Sequence, residues 1–209
     1  MSESRIDVFC GGVFQTNGYL VRSGSGHWLF DAPEGIGDWI AEQGVRIDGL
    51  LLTHQHHDHV IGAGRVRELF DCPVWAHSAP SDDLTLASRL EQMTGMPCEL
   101  DPYSVDHLLE GESELSLDGL DLEILHVPGH SPDSICFYLK GTSFLIGGDV
   151  LFQGGIGRTD FPHGDHELLL AGIREKLWPL PEDTHVLPGH GPATSIGVEK
   201  ATNPFLQGV

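Results

Sequence analysis

Positive charge is scarce in this chain. Lys and Arg total 11 against 31 Asp and Glu in 209 residues, a formal charge of −20 with His neutral. So acidic a surface repels phosphate backbones and anionic headgroups, which argues against nucleic acid and membrane surfaces as partners. No apolar run approaches the ~20 residues needed to span a bilayer. The opening Met1-Ser2-Glu3-Ser4-Arg5-Ile6-Asp7 has no basic region followed by an apolar stretch, so no secretory leader is expected. The cysteines Cys10, Cys72, Cys98 and Cys136 include no Cys-x-x-Cys pair. They read as reduced thiols of a cytoplasmic protein and lack the spacing of a four-Cys zinc site. Fixed-period repeats and low-complexity tracts are also absent.

What is present is an ordinary globular composition, 40% apolar and 8% aromatic, read as one domain over residues 1–209. Short runs of Val, Ile, Leu and Phe cut by Gly, Pro and Asp predict strands over 6–9, 18–22, 27–30, 49–53, 74–77, 122–127, 135–139, 143–146 and 184–187. Helical periodicity predicts helices over 36–43, 62–70, 84–93 and 166–177. Asp165 is the expected N-cap of the last helix, and Trp178-Pro179 its stop. Gly24-Ser25-Gly26 and Leu117-Asp118-Gly119 read as hairpin turns. Mixed strands and helices with hairpins in both halves predict an α/β or α+β layered domain. The stretch 78–102 is the least regular, a lid or a simple connection.

The unusual count is histidine, 13 in all, about three times ordinary usage. The densest group is Thr53-His54-Gln55-His56-His57-Asp58-His59, directly after the apolar run 49–52. Residues i and i+2 of an extended segment point the same way, so His54 and His56 can grip one cation. A turn after them frees Asp58 and His59 to reach a second position. One His at a strand end is usually a satisfied polar residue. Several imidazoles and a carboxylate packed together without a cation would instead repel when protonated.

Three later sites share a pattern of strand, glycine, then a metal-type residue: Pro128-Gly129-His130, Gly147-Gly148-Asp149 and Pro188-Gly189-His190. Glycine permits a sharp exit from a strand or a close backbone approach. The candidate ligands are therefore His54, His56, Asp58, His59, His130, Asp149 and His190, too many for one tetrahedral ion. They divide into His54, His56 and His130 for one metal and Asp58, His59 and His190 for another, with Asp149 as bridge. Zinc is the first expectation for the two divalent ions, and iron or manganese also suits imidazole and carboxylate donors.

The set Thr-His-x-His-x-Asp-His, Pro-Gly-His130, Gly-Asp149 and Gly-His190 resembles the metallo-β-lactamase superfamily. That resemblance implies a four-layer αββα sandwich with a dinuclear site at one edge of two sheets. Asp149 and the extra donor His59 are similar to the glyoxalase II branch, the hydroxyacylglutathione hydrolases. Gly148-Asp149-Val150-Leu151-Phe152, Gly157-Arg158-Thr159-Asp160-Phe161 and the tail after Leu187 resemble its short, single-domain bacterial members. The longer enzymes of the branch add a glutathione-binding helical extension and a Tyr after the last ligand His, where this chain has Gly191 and Pro192.

The reaction expected on this reading is hydrolysis of a small-molecule thioester such as S-lactoylglutathione. A hydroxide between the metals is the nucleophile, oriented by Asp58, with one metal stabilising the oxyanion. A thiolate leaves without a dedicated acid. Arg158 either meets a substrate carboxylate or pairs with Asp160 or Asp165. Thr53, Ser131, Asp133 and Asp160 are candidates to orient the ligand rings. His57, His163 and His166 read as loop residues, His27, His77, His107 and His185 as structural, and Trp178 and Phe161 as core. The alternatives are a mononuclear-iron persulfide dioxygenase using His54, His130 and Asp149, a lactone or other ester hydrolase, and a metal-binding module without catalysis.

Overall fold

The computed structural model describes residues 5–95 and 97–207. The first half runs β1 (Arg5–Gly11), β2 (Thr16–Ser23), β3 (Gly26–Phe30), α1 (Ile36–Glu42), β4 (Gly49–Leu51), α2 (His57–Val60), α3 (Ala63–Phe70), β5 (Val74–Ala76), α4 (Asp82–Thr85), α5 (Ala87–Thr94) and β6 (His107–Leu108). The second half runs β7 (Glu114–Leu117), β8 (Leu120–His126), β9 (Ile135–Leu139), β10 (Phe144–Gly148), β11 (Leu151–Phe152), β12 (Gly155–Ile156), α6 (His166–Gly172), β13 (His185–Pro188), β14 (Thr194–Ser195) and α7 (Ile196–Thr202).

Six strands in the order β1-β2-β3-β4-β5-β6 form one sheet, and six in the order β14-β13-β10-β9-β8-β7 form the other. β3, β4, β5 and β6 run parallel, as strands joined by helical crossovers must, whereas β1, β2 and β3 are antiparallel. Successive strand side chains point to opposite faces, and the burial follows that alternation. Leu20, Leu29 and Leu50 join Ile36, Ile40 and Val66 under α1 and α3. Their neighbours Val21, Phe30 and Leu51 face Leu122, Phe137 and Ile146 of the second sheet. On that sheet's far side Cys136 and Leu145 pack with Leu169, Ile173 and Ile196 of the α6 and α7 layer. Three apolar clusters between four layers make the αββα sandwich.

The strand centres match the predicted segments, and the helices differ in two instructive ways. The periodicity over 84–93 does not give one helix. Leu86 takes a left-handed conformation, φ 56°, and separates α4 from α5. Ser81 caps α4 by accepting from the Leu84 N–H, and Ser88 is tied back to Asp82, so local polar bonds override the apolar spacing. Periodicity over 166–177 does give a continuous helical run, whose last turn, Ile173–Leu177, is π-helical. Asp165 is its N-cap, accepting from the Leu168 N–H at 3.0 Å. The short strands β6, β7, β11, β12 and β14 and helices α2 and α7 are not among the predicted segments.

Both sheets end at one edge. Asn17 N–H donates to the Gly189 carbonyl at 2.7 Å, and Ile135 N–H donates to the Thr53 carbonyl at 2.8 Å. These backbone bonds stitch one sheet to the other beside the histidine cluster. Within the inter-sheet core the Phe30 and Phe137 rings meet edge to face, 5.3 Å between centroids. Phe137→Ala is expected to destabilise the fold by ~3–5 kcal/mol, because both sheets hold the cavity open. Denaturant unfolding measures it, and a loss below ~1 kcal/mol would mean that the sheets close over the gap.

Candidate metal centre

The cluster is assembled from loops that leave the strands at that common edge. After β4 the chain stays extended, so His54 and His56 point one way and Gln55 the other. Gln55 Nε2 donates to the Ser78 carbonyl at 3.0 Å and to Asp133 at 3.2 Å. Helix α2 then turns Asp58 and His59 back toward the same centre. His130 follows β8, Asp149 follows β10 and His190 follows β13.

The donor atoms of His54, His56 and His130 lie within 4.8 Å of one another. So do those of Asp58, His59 and His190, and those of His54, His59 and Asp149. Asp149 stands between the groups, with Oδ1 3.4 Å from His59 Nε2 and Oδ2 3.5 Å from His130 Nε2 and 3.3 Å from His190 Nε2. The structure thus brings together all seven residues that the sequence pattern singled out.

Ring orientation is fixed from behind. His59 Nδ1 contacts Asp31 Oδ2 at 2.8 Å, His130 Nδ1 the Arg158 carbonyl at 2.8 Å and His190 Nδ1 the Phe14 carbonyl at 3.1 Å. A carboxylate or a carbonyl only accepts, so each Nδ1 carries a proton, and in the neutral ring each Nε2 is left to offer its lone pair to the centre. Asp31 also accepts from the Thr53 N–H at 2.7 Å and the Thr53 hydroxyl at 2.8 Å. Of the expected orienting groups, Thr53 belongs to this cluster, Ser131 bonds Asp133, and Asp160 turns outward to Arg158. Asp31 itself was not singled out from sequence. Its signal was its place directly after an apolar strand, as His54 follows β4, but no glycine marks it.

Electrostatics divide the cluster. Burial and the neighbouring rings of His59 and His56 hold His54 well below its usual pKa, and burial with His130 nearby takes His56 down to about 3. Burial opposes charge on His59 too, but Asp58, Asp149 and Asp31 outweigh it and raise its pKa well above the ordinary value. Burial is likewise outweighed at His190, whose contacts with Asp149 and Asp58 carry it to about 10. Although burial disfavours their charge, Asp58 and Asp149 stay ionised through the same imidazoles. The two carboxylates therefore attract positive charge into a nearly dry pocket.

A metal fits this set. His59 Nε2, His130 Nε2 and Asp149 Oδ1 are buried without a hydrogen-bond partner, and each residue belongs to one of these donor groups. Unpaired buried polar atoms cost ~1–3 kcal/mol each, a penalty that a cation removes. Glycine keeps the room clear: a Cβ on Gly189 would fall 2.1 Å from Asp149 Oδ1, and one on Gly148 2.5 Å from the Thr53 hydroxyl. Gly148 also has φ 50°, so it turns the chain out of β10 toward Asp149.

A cavity of about 400 Å³ opens over the cluster. Phe161, expected in the core, lines it with its ring edge-on to His56 at 5.9 Å. Arg158 also lines it and pairs with Asp160 through two 2.7 Å contacts, the pairing reading of the two expected for it. His57, read as a loop residue, is buried in α2. His107 stacks on Trp75 and His77 on His126, both in structural roles.

The fold and its edge cluster define a class. The family pattern described as the Metallo-beta-lactamase superfamily matches residues 11–190, and the chain belongs to that superfamily. Within it, the chain is 45% identical over 170 residues to the hydroxyacylglutathione hydrolase GloC of Haemophilus influenzae, covering 80% of this chain and 79% of that one. Among solved structures it is similar to BLEG-1, a B3 metallo-beta-lactamase, at 37% identity and a TM-score of 0.88, over 98% of this chain and 100% of that one. It is also similar to TTHA1623 in a di-iron-bound form, at 36% identity and a TM-score of 0.83, over 96% and 100% of the two chains. Among the described residues no helix is long and apolar enough to cross a membrane.

Asp31→Asn keeps a residue type that tolerates φ 58° but removes the charge behind His59. Metal affinity is expected to fall ~10–100-fold, measured by chelator competition. Unchanged affinity would mean that Asp31 serves the backbone of Thr53 alone.

Proposed function

We propose that the chain is a dinuclear metal-dependent hydrolase that cleaves a thioester such as S-lactoylglutathione. The observation that carries this reading is the bridging position of Asp149 between two donor groups, His54, His56 and His130 on one side and Asp58, His59 and His190 on the other. The similarity to GloC supports the thioester as substrate. Zinc suits the imidazole and carboxylate donors, and the di-iron form of TTHA1623 makes iron the principal alternative.

Divalent cations bound here would supply a water acidified toward a pKa of about 7 and a Lewis acid for the carbonyl oxygen. The chain's own residues do the positioning. Asp58 reaches the cavity with Oδ2 held by the Thr16 hydroxyl at 2.6 Å, so its carboxylate is fixed in direction and can orient the attacking water. In hydrolysis the water oxygen bonds to the carbonyl carbon and the C–S bond breaks. The sulfur leaves as thiolate, whose conjugate acid has a pKa of ~8.5, so no separate acid is needed.

At the cavity mouth Arg158 stacks on Phe161, 4.0 Å from the ring, and Arg89 of α5 acts electrostatically on the same Asp160. Arg158 is the one Lys or Arg that lines the cavity, and its guanidinium suits a carboxylate on the thiol half of the substrate. Cys10, Cys72 and Cys136 stand as thiols, in keeping with the cytoplasm as the compartment. The partner is a small molecule, and neither nucleic acid nor membrane is proposed.

The test is elemental analysis of the purified protein run beside S-lactoylglutathione hydrolysis. About two metals per chain with thioester cleavage is the expected result. One iron per chain with oxygen uptake on a persulfide would overturn it in favour of a dioxygenase. Asp58→Ala is expected to lower kcat by ~10²–10⁴-fold while circular dichroism stays native; undiminished turnover contradicts the role given to Asp58. Arg158→Ala is expected to raise KM about tenfold for a thioester with an anionic thiol, the worth of one charge-assisted bond.

A further inference from the structure

Apart from its metal-type side chains and Arg158, the cavity has an apolar wall. Phe14, Leu86, Leu90, Phe152, Ile156 and Phe161 form it, and Thr85 adds one hydroxyl. Leu86 is the informative member. Left-handed backbone suits glycine or asparagine, and a leucine there is strained. Yet Leu86 holds φ 56° at the corner between α4 and α5, its N–H bonding the Asp82 carbonyl and its carbonyl accepting from Leu90 N–H. Its side chain is buried but belongs to none of the three core clusters. Helix α5 contributes no fully buried residue, and its half-buried Leu90 turns to the same cavity. The corner spends its strain on apolar surface at the cavity rather than on packing the fold.

We infer that this wall, with Leu86 and Leu90 as its specificity-determining residues, is the acyl pocket, and that it takes a hydrocarbon acyl chain longer than lactoyl. The inference rests on the thioester hydrolase reading above. Arg158 is the only Lys or Arg among the cavity's lining residues and is paired with Asp160, so charge recognition is confined to the mouth. A lactoyl hydroxyl turned to this wall meets six apolar side chains and the single hydroxyl of Thr85, and desolvating it there is unfavourable. A methylene chain instead removes apolar surface from water on both sides.

Two series of compounds test it on the metal-loaded full chain. In the first, kcat/KM is measured for lactoyl, butanoyl, hexanoyl and octanoyl thioesters of glutathione. In the second, calorimetry gives Kd for S-alkyl glutathione thioethers of matching lengths, which cannot be cleaved. Both kcat/KM and affinity are expected to rise about fourfold per added methylene until the wall is covered. Leu86→Gly suits the left-handed corner and deletes only the side chain; it and Leu90→Ser are expected to flatten both slopes. Cleavage that is best for lactoyl, with no slope in either series, overturns the acyl pocket and leaves the hydrolase intact. Faster lactoyl turnover lost in Thr85→Val points the same way, to a wall that reads the hydroxyl. Thioethers that bind with the expected slope while no thioester is cleaved support the wall and overturn the hydrolase.

Discussion

The carboxylate of Asp149, held among the rings of His59, His130 and His190, is the contact on which the rest of the molecule turns. An ionised carboxylate this buried is unfavourable unless positive charge stands beside it. The surrounding imidazoles answer that need only partly. His59 and His190 take on positive character, whereas His54 and His56 are kept neutral by burial and by one another. The result is a basin of lone pairs and negative charge whose electrostatic complement is a pair of cations. Once that is seen, the glycine at position 189 is a consequence: a Cβ there would fall on Asp149 Oδ1 and the His59 ring, whereas one at position 148 would meet the Thr53 side chain.

Such a centre demands that distant segments arrive at one point within tenths of an ångström, and the layered fold meets the demand by rigidity. Four loops leave neighbouring strand ends of two sheets whose facing surfaces are locked by Phe30, Phe137 and their neighbours. Backbone bonds between Asn17 and Gly189 and between Thr53 and Ile135 fix the sheets to each other beside the donors. Behind the donors, Asp31 and the carbonyls of Arg158 and Phe14 set the ring orientations. The carbonyl of Arg158 orients His130 while its side chain reaches the cavity mouth, so metal geometry and substrate entry share one loop.

On a chain with net charge −20, the cavity above the centre is lined by one arginine, Arg158, and by six apolar side chains beside the donors. Leu86 and Leu90, two of those six, come from the α4–α5 corner, where α5 contributes no fully buried residue. The donors sit just beyond strand ends and in α2, while Leu86 and Leu90 of the proposed acyl wall sit on the lighter α4–α5 corner.

The sequence by itself determined which residues could gather as donors. His54, His56, Asp58, His59, His130, Asp149 and His190 were legible because strand periodicity and the following turn are local, and a donor's type is written in its residue. The strand centres and three of the four predicted helices were legible for the same reason. Tertiary structure decided what depends on packing across the chain. It made Asp31 the partner of His59, moved Phe161 from the expected core to the cavity wall, paired Arg158 with Asp160, buried His57 and broke the helix at Leu86. Each of these is set by a neighbour remote in sequence or by a competition among polar bonds. Apolar spacing is blind to both, because it records which face of an element is apolar and not what stands opposite.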